Sequence, residues 1–240
     1  MNSSTAVDSP IQVAERPSLW RPLLAVVAVL GFFGFRGTGG EWVDFQVQAW
    51  FWDGRDWLVP KNSGWPHTLA YTGPKVLLYL FALWLLWGMA FPALSPAWLG
   101  RRRAAYLFLA MAVISVTCTQ LRELTSMATP RQLTMYGATP GFPHLLLFEA
   151  KPAGYPSDAF PAGHASGGFA LVALAFAWSS PVARRRGLAL TLIFGVWMGL
   201  YQVARGEHFL SHTLATAALA WLLAAALARA CRPNGVSWTS

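Results

Sequence analysis

The chain has 240 residues, 55% of them apolar and only 12% charged, against about 25% charged in a soluble domain. Together with a mean hydropathy of +0.41, this excludes a disordered tail, a coiled coil and an ordinary soluble enzyme, and leaves an integral membrane protein. The net charge of +8 does not read as a nucleic-acid surface, because the basic residues sit in short clusters between apolar runs, the pattern of loop charges that orient membrane helices.

Residues 1–20 form a polar tail with Ser3, Ser4, Asp8, Glu15 and Arg16. No small-residue cleavage site follows the first apolar run, so no removable signal peptide is expected. The first predicted span runs from about Leu23 to Phe35 and is short. A Trp-rich, amphipathic segment follows from Glu41 to Ser63, with Trp42, Trp50, Trp52 and Trp57 beside Asp44, Asp53 and Asp56; it reads as an interfacial helix or loop. The second span covers about Leu69 to Leu94, the third Ala104 to Leu121, the fourth His164 to Val182, the fifth Gly187 to Ala204 and the sixth Ser211 to Ala230. Between spans three and four lie roughly 40 residues rich in Pro and Gly, a length that points to a functional loop or to disorder. Cys118 and Cys231 lie near the ends of apolar segments and imply no disulfide framework. The predicted fold is therefore all-α: a six-transmembrane-helix bundle over residues 21–232 with an interfacial helix and a long extracytoplasmic loop, flanked by tails at 1–20 and 233–240.

Orientation follows from the arginines. Arg16 and Arg21, Arg101–Arg103, Arg184–Arg186, and Arg229 with Arg232 fall on one side of a six-span arrangement. By the positive-inside rule that side is cytoplasmic. The Trp-rich segment, the long loop and the turn at Gly206-Glu207-His208 then face the opposite side, and the protein is expected in the inner membrane with its active site towards the periplasm.

The polar chemistry clusters on that outer side, where ionisable groups at membrane depth are functional candidates. In Phe160-Pro161-Ala162-Gly163-His164, Gly163 allows close backbone approach and His164 falls in the first turn of span four, whose free N–H groups and dipole suit an anion. The alternative is a histidine that merely caps or packs. In Arg205-Gly206-Glu207-His208-Phe209-Leu210-Ser211-His212, the two histidines are four apart and on a helix would share a face. One ring can then fix the tautomer of the other, as a nucleophilic imidazole requires, and Arg205 supplies a fork suited to phosphate. A metal-ligand pair or two interfacial histidines are the competing readings. Arg122 emerges from span three and Arg131 follows Pro130; each is either a phosphate ligand or a snorkelling anchor. Lys75, Lys151 and His144 are read as anchoring or solubilising groups as readily as binding ones.

These three segments, in this order at the ends of spans three, four and six, resemble the type-2 phosphatidic acid phosphatase (PAP2) superfamily. Its pattern is K-x6-R-P, then P-S-G-H, then S-R-x5-H-x3-D. The chain departs from it: Arg122 stands for the lysine, Thr129 for the first arginine, Ala162 for the serine, Gln202 for the second arginine and His212 for the aspartate. The P-A-G-H-A-S and H-F-L-S-H strings are similar to those of a bacterial subgroup, so the departures are expected to be a subgroup pattern. The resemblance implies a membrane phosphatase for lipid phosphates or diphosphates, acting through a phosphohistidine. His208 would be the nucleophile, His164 the general acid and base, and His212 its orienting neighbour. Arg122, Arg205, Arg131 and the N–H groups near Gly163 would hold the phosphate. No cofactor and no metal are implied; the partners are the bilayer and a lipid phosphate, with no nucleic acid and no oligomeric state specified. The other classes kept open are a lipid phosphotransferase with an isoprenoid diphosphate donor, a His-ligated metal or haem protein, and a non-catalytic membrane scaffold or transporter.

Overall fold

The computed structural model describes residues 16–61, 64–157 and 159–234. Most of the predicted N-terminal tail, the end of the Trp-rich segment and residues 235–240 of the C-terminal tail lie outside the described residues. The described chain is built on helices: α1 (Trp20–Phe33), α2 (Gly40–Ala49), α3 (Gly64–Ala90), α4 (Gly100–Thr125), α5 (Gly163–Ala177), α6 (Pro181–Ala204) and α7 (Leu210–Cys231). Four of them, α3, α4, α6 and α7, are long and apolar enough to cross a membrane; α1 and α5 are apolar but shorter. Their outer faces carry Leu80 and Leu83 on α3, and Leu192 and Trp197 on α6, all more than half exposed, as lipid-facing helices require.

The core is sealed by small residues. The helix α5 lies innermost, with Ala165, Ser166, Gly168, Phe169 and Ala170 buried, packed on α4, α6 and α7. A Cβ on Gly168 would come within 2.7 Å of the Gly195 nitrogen, and one on Gly195 within 2.4 Å of the Phe169 ring. Glycine at both positions lets α5 and α6 approach backbone to backbone, the small-residue packing that membrane helices use. Tyr106 on α4 is buried and donates to the Ala224 carbonyl of α7 at 3.0 Å.

Helix boundaries differ from the sequence expectation most at the junction after the fourth span. The fourth span ends at Ala177 and not at Val182, because Trp178 turns extended. Ser180 then caps α6 by accepting from the Ala183 N–H, with Pro181 at the first helical position, a pairing that starts helices. Arg184–Arg186 therefore lie within α6, and Arg101–Arg103 within the first turn of α4, where loops were expected. The two arginine-bearing ends still meet. Arg103 Nε donates to the Ala177 carbonyl at 3.1 Å, and Asn234, beyond α7, reaches Ser179 at 3.4 Å.

The segment α2 is inverted relative to a soluble amphipathic helix. Its buried face is Gly40, Asp44 and Gln48, while Trp42 is 65% and Trp50 74% exposed. It packs against the start of α7 with its polar side inward.

Candidate active site

The far end of the bundle from the arginine triplets is held by main-chain bonds. The Ala159–His164 turn is clamped from two directions. On the α4 side, Ala159 N–H donates to the Met127 carbonyl at 3.1 Å and Thr125 Oγ1 donates to the Phe160 carbonyl. On the α7 side, Ala162 N–H donates to the His212 carbonyl at 3.2 Å, and Thr216 Oγ1 bridges the Ala162 and His212 carbonyls at 3.2 and 2.9 Å. Three stretches far apart in sequence are thus bolted together where α4 ends and α5 and α7 begin.

His164, second residue of α5, is half-buried. Its Nε2 is hydrogen-bonded to the Tyr71 hydroxyl. The Tyr71 ring stacks on His67 with centroids 4.5 Å apart, and the Arg205 guanidinium lies over both Tyr71 and Tyr201, at 5.6 and 5.3 Å. Lys75 hangs over Tyr71 and Tyr79 at 5.8 Å each. Lys75, Arg122, Arg205 and His67 all bear electrostatically on His164. Residues 68–72, within α3, form a single π turn, a local widening frequent at functional sites.

His208 precedes α7 and does not sit on it, so the expected pair along one helix face takes another form. Its ring meets that of His212 edge-on, centroids 5.8 Å apart and 73° between planes. Both imidazoles are buried, and both Nδ1 atoms are enclosed without a hydrogen-bond partner. The Ala159 carbonyl lies against both. Burial, then the neighbouring His164 and Arg122, push the pKa of His208 down to about 3. The ring is therefore a neutral imidazole at physiological pH, the form that carries a nucleophilic lone pair.

The arginines divide into two kinds. Arg122, in the last turn of α4, points at the start of α5: a Cβ on Gly163 would lie 3.7 Å from its Nη1. Its Nε is buried without a partner. Arg205 is buried and directed by Gln202, whose Oε1 accepts from its Nη1 at 3.2 Å, and by the Lys61 carbonyl. Arg131 is used differently from expectation. Its guanidinium donates to the Arg205 and Val59 carbonyls, lies over Trp57 at 5.6 Å and sits 3.6 Å from Glu207. It braces the turn that carries Arg205 and does not face the cavity described next. Gly206, at φ +71°, completes that brace, since any Cβ there would come within 2.4 Å of Trp57.

A cavity of about 400 Å³ runs between α3, α4 and α5. One end is lined by Lys75, Arg122, Gly163 and His164; the remainder is mostly apolar, with Leu78, Ala82, Phe108, Met111 and Met198 beside the hydroxyls of Ser115, Thr119 and Ser166. Its rim includes Tyr79 and Val116, 59% and 58% exposed, so it opens on the flank of the bundle. His208, His212 and Arg205 are not in this lining; His208 and Arg205 are electrostatic neighbours of His164. Positive charge, helix N–H donors and an imidazole at the head of an apolar slot can hold a phosphate ester whose other end is a hydrocarbon. Among the described residues there is no group of three His, Cys, Asp or Glu placed to hold a metal.

Tyr71 and Tyr79 are not site candidates from sequence, whereas Lys75 is read there as an anchor or a binding group. His67, Tyr71, Lys75 and Tyr79 recur every four residues on α3, a spacing that puts polar groups on one face of an otherwise apolar helix. That signal was available. Asp44 and Gln48 on α2 were not legible, because Trp42 and Trp50 on either side of them suggest the opposite face is buried. His144 and Lys151 serve the long loop: His144 Nδ1 pairs with Glu41 at 2.9 Å, and Lys151 donates to the Leu146 and Leu147 carbonyls.

The PAP2 superfamily model matches residues 103–235, the stretch that carries Arg122, His164, Arg205, His208 and His212. The chain belongs to the PAP2 superfamily. That membership carries phosphatase-type activity on phosphate esters. No curated protein and no solved structure matches the chain.

Proposed function

We propose that the protein is a membrane phosphatase that hydrolyses lipid phosphate or diphosphate monoesters. The observation that carries this reading is the cavity whose cationic head holds Lys75, Arg122 and His164 and whose body is hydrocarbon-lined. A lipid phosphate fits both parts; a soluble phosphate ester would leave the apolar part unused.

In the proposed mechanism the phosphoryl group enters between His164 and His208. The neutral His208 attacks phosphorus, a P–N bond forms and the ester P–O bond breaks. His164 donates its proton to the leaving oxygen. His164 then takes a proton from water, whose oxygen attacks the phosphohistidine and releases phosphate and free His208. Arg122, Arg205 and the first N–H groups of α5 balance the charge growing on the equatorial oxygens. Tyr71 holds the His164 ring in place throughout. With α1 and α5 counted as short spans, all six apolar helices alternate between the arginine end and the histidine end. The positive-inside rule then places the arginines in the cytoplasm and the reaction at the periplasmic face of the inner membrane.

The test is phosphate release by the purified full-length protein from dioctanoyl phosphatidate, dioctanoyl phosphatidylglycerol phosphate and farnesyl diphosphate. Wild type releases phosphate from at least one. His208→Ala abolishes release, and His164→Ala lowers it at least 100-fold. Full activity in His208→Ala would end the phosphohistidine reading, and label appearing on an acceptor lipid in place of free phosphate would make the protein a phosphotransferase.

A further inference from the structure

A buried imidazole that attacks phosphorus gains positive charge as it does so. Such rings are held by a group on the other nitrogen that fixes the tautomer and stabilises the charge, usually a carboxylate. Beside His208 stands His212, which offers a lone pair or a proton but no negative charge. The nucleophilic pair thus has polar company and, within its own segment, no carboxylate aimed at it: Glu207 turns towards Arg131 and Lys61, 3.6 and 3.8 Å away.

A carboxylate does arrive there from another element. Asp44, on α2, is only 5% exposed, and among the described residues it is the buried carboxylate. Its Oδ1 accepts from the Ser211 N–H at 2.9 Å, one residue before His212. Asp44 and His212 line one small cavity of about 20 Å³, with Ser211, His144, Phe160 and Phe209 around it. That space is large enough for one water molecule, and its polar members are Asp44, His144, Ser211 and His212. The Nδ1 of His212, which lines that cavity, is buried without a hydrogen-bond partner, as is the Nδ1 of the neighbouring His208. Gln48, one turn along the same face of α2, reaches the His208 carbonyl at 3.4 Å, so α2 holds the His208–His212 segment at two points, the His208 carbonyl and the Ser211 N–H.

We infer that Asp44 is a positioning residue: from α2 it fixes the ring of His212, and through His212 orients and charge-balances the nucleophile His208. This rests on the phosphatase reading given above. The opposing reading is purely architectural. The α7 cap residue, Phe209, makes no side-chain cap bond, and Asp44 caps that helix from outside. Capping, however, does not need a charge, since asparagine caps as well as aspartate. A buried carboxylate is costly when ionised, and that cost is the reason to look for work done by the charge. Burial raises the Asp44 pKa to about 7, against the hydrogen bonds from Ser211 and Leu210 that lower it. The groups facing it are Ser211 and His212 on α7 and His144 and Tyr136 in the long loop, His144 being itself paired with Glu41 of α2.

Asp44→Asn keeps the acceptor and removes the charge. It is expected to keep the wild-type Tm while kcat falls 10- to 100-fold, the range typical for loss of a group that orients an active ligand, with KM within about twofold. The acid limb of the wild-type kcat profile near pH 7 disappears in Asp44→Asn, and in a His212→Gln background the Asp44→Asn substitution has no further effect. Wild-type kcat and pH profile in a folded Asp44→Asn would overturn the inference and leave Asp44 a cap. A second measurement needs neither turnover nor a variant: in 15N-histidine-labelled wild type, the His212 and His208 ring nitrogens shift as Asp44 titrates near pH 7. Flat shifts across that range overturn the inference even if the variant fails to fold. Failure of wild type to release phosphate from any of the three lipids would instead strike the phosphatase reading, with the nitrogen shifts still deciding the Asp44 contact.

Discussion

Replacing Arg122 by methionine separates function from stability. The side chain leaves the last turn of α4 with its stem packed and its guanidinium beside Gly163. Methionine keeps the apolar stem contact and removes the charge. Loss of one preorganised donor to a developing oxyanion costs about 2.7–4 kcal/mol, or roughly 10²–10³ in rate. In the opposite direction, the Arg122 Nε is buried without a partner, and an unsatisfied buried donor costs about 1–3 kcal/mol. Removing it returns that energy, and at about 2–4 °C per kcal/mol for a chain of this size the Tm holds or climbs by several degrees. The assay pairs phosphate release from the preferred lipid with thermal unfolding in the same detergent. Activity down 100-fold or more with Tm unchanged or higher is the expected signature of a group kept for chemistry. An active but destabilised Arg122→Met would show that the guanidinium holds the α4–α5 junction and does not meet the phosphate.

Tyr71→Phe removes the hydroxyl on His164 Nε2 and keeps the stacking on His67. A roughly 10-fold fall in kcat with KM unchanged is expected, measured by initial rates over substrate mole fraction; a change confined to KM would place Tyr71 in substrate binding instead. Gly206→Ala meets both a left-handed backbone at φ +71° and the Trp57 ring 2.4 Å from the new Cβ. It should lower Tm by several degrees and activity with it, because the Trp57–Arg131 brace behind Arg205 must open; an unchanged unfolding curve would refute that account.

The long apolar helices were readable because their evidence is additive: eighteen or more apolar residues leave few alternatives. The junction at Trp178–Pro181 was not, since both flanks are apolar and only the local cap chemistry of Ser180 and Pro181 decides where α6 begins. In the site, Gly163, His164, Arg205, His208 and His212 stood out because polar residues are rare in such a chain. What the sequence hid was direction. Arg131 and Arg205 look alike as letters, yet one braces a turn and the other lies over Tyr71. Gln202 looks like a lost arginine, yet it aims Arg205. Asp44 is 167 positions from Ser211, the residue it holds beside His212, and no local pattern announces a contact of that range.

The slot between α3 and α4 reaches the flank of the bundle past Tyr79 and Val116. A lipid phosphate of the kind proposed above would arrive there by diffusing in two dimensions within the leaflet, with its tail never leaving hydrocarbon. The concentration that governs turnover is then its mole fraction among neighbouring lipids, so diluting the substrate with inert amphiphile slows the reaction even when bulk amounts are held fixed, while the released inorganic ion departs into water by the separate route its charge dictates.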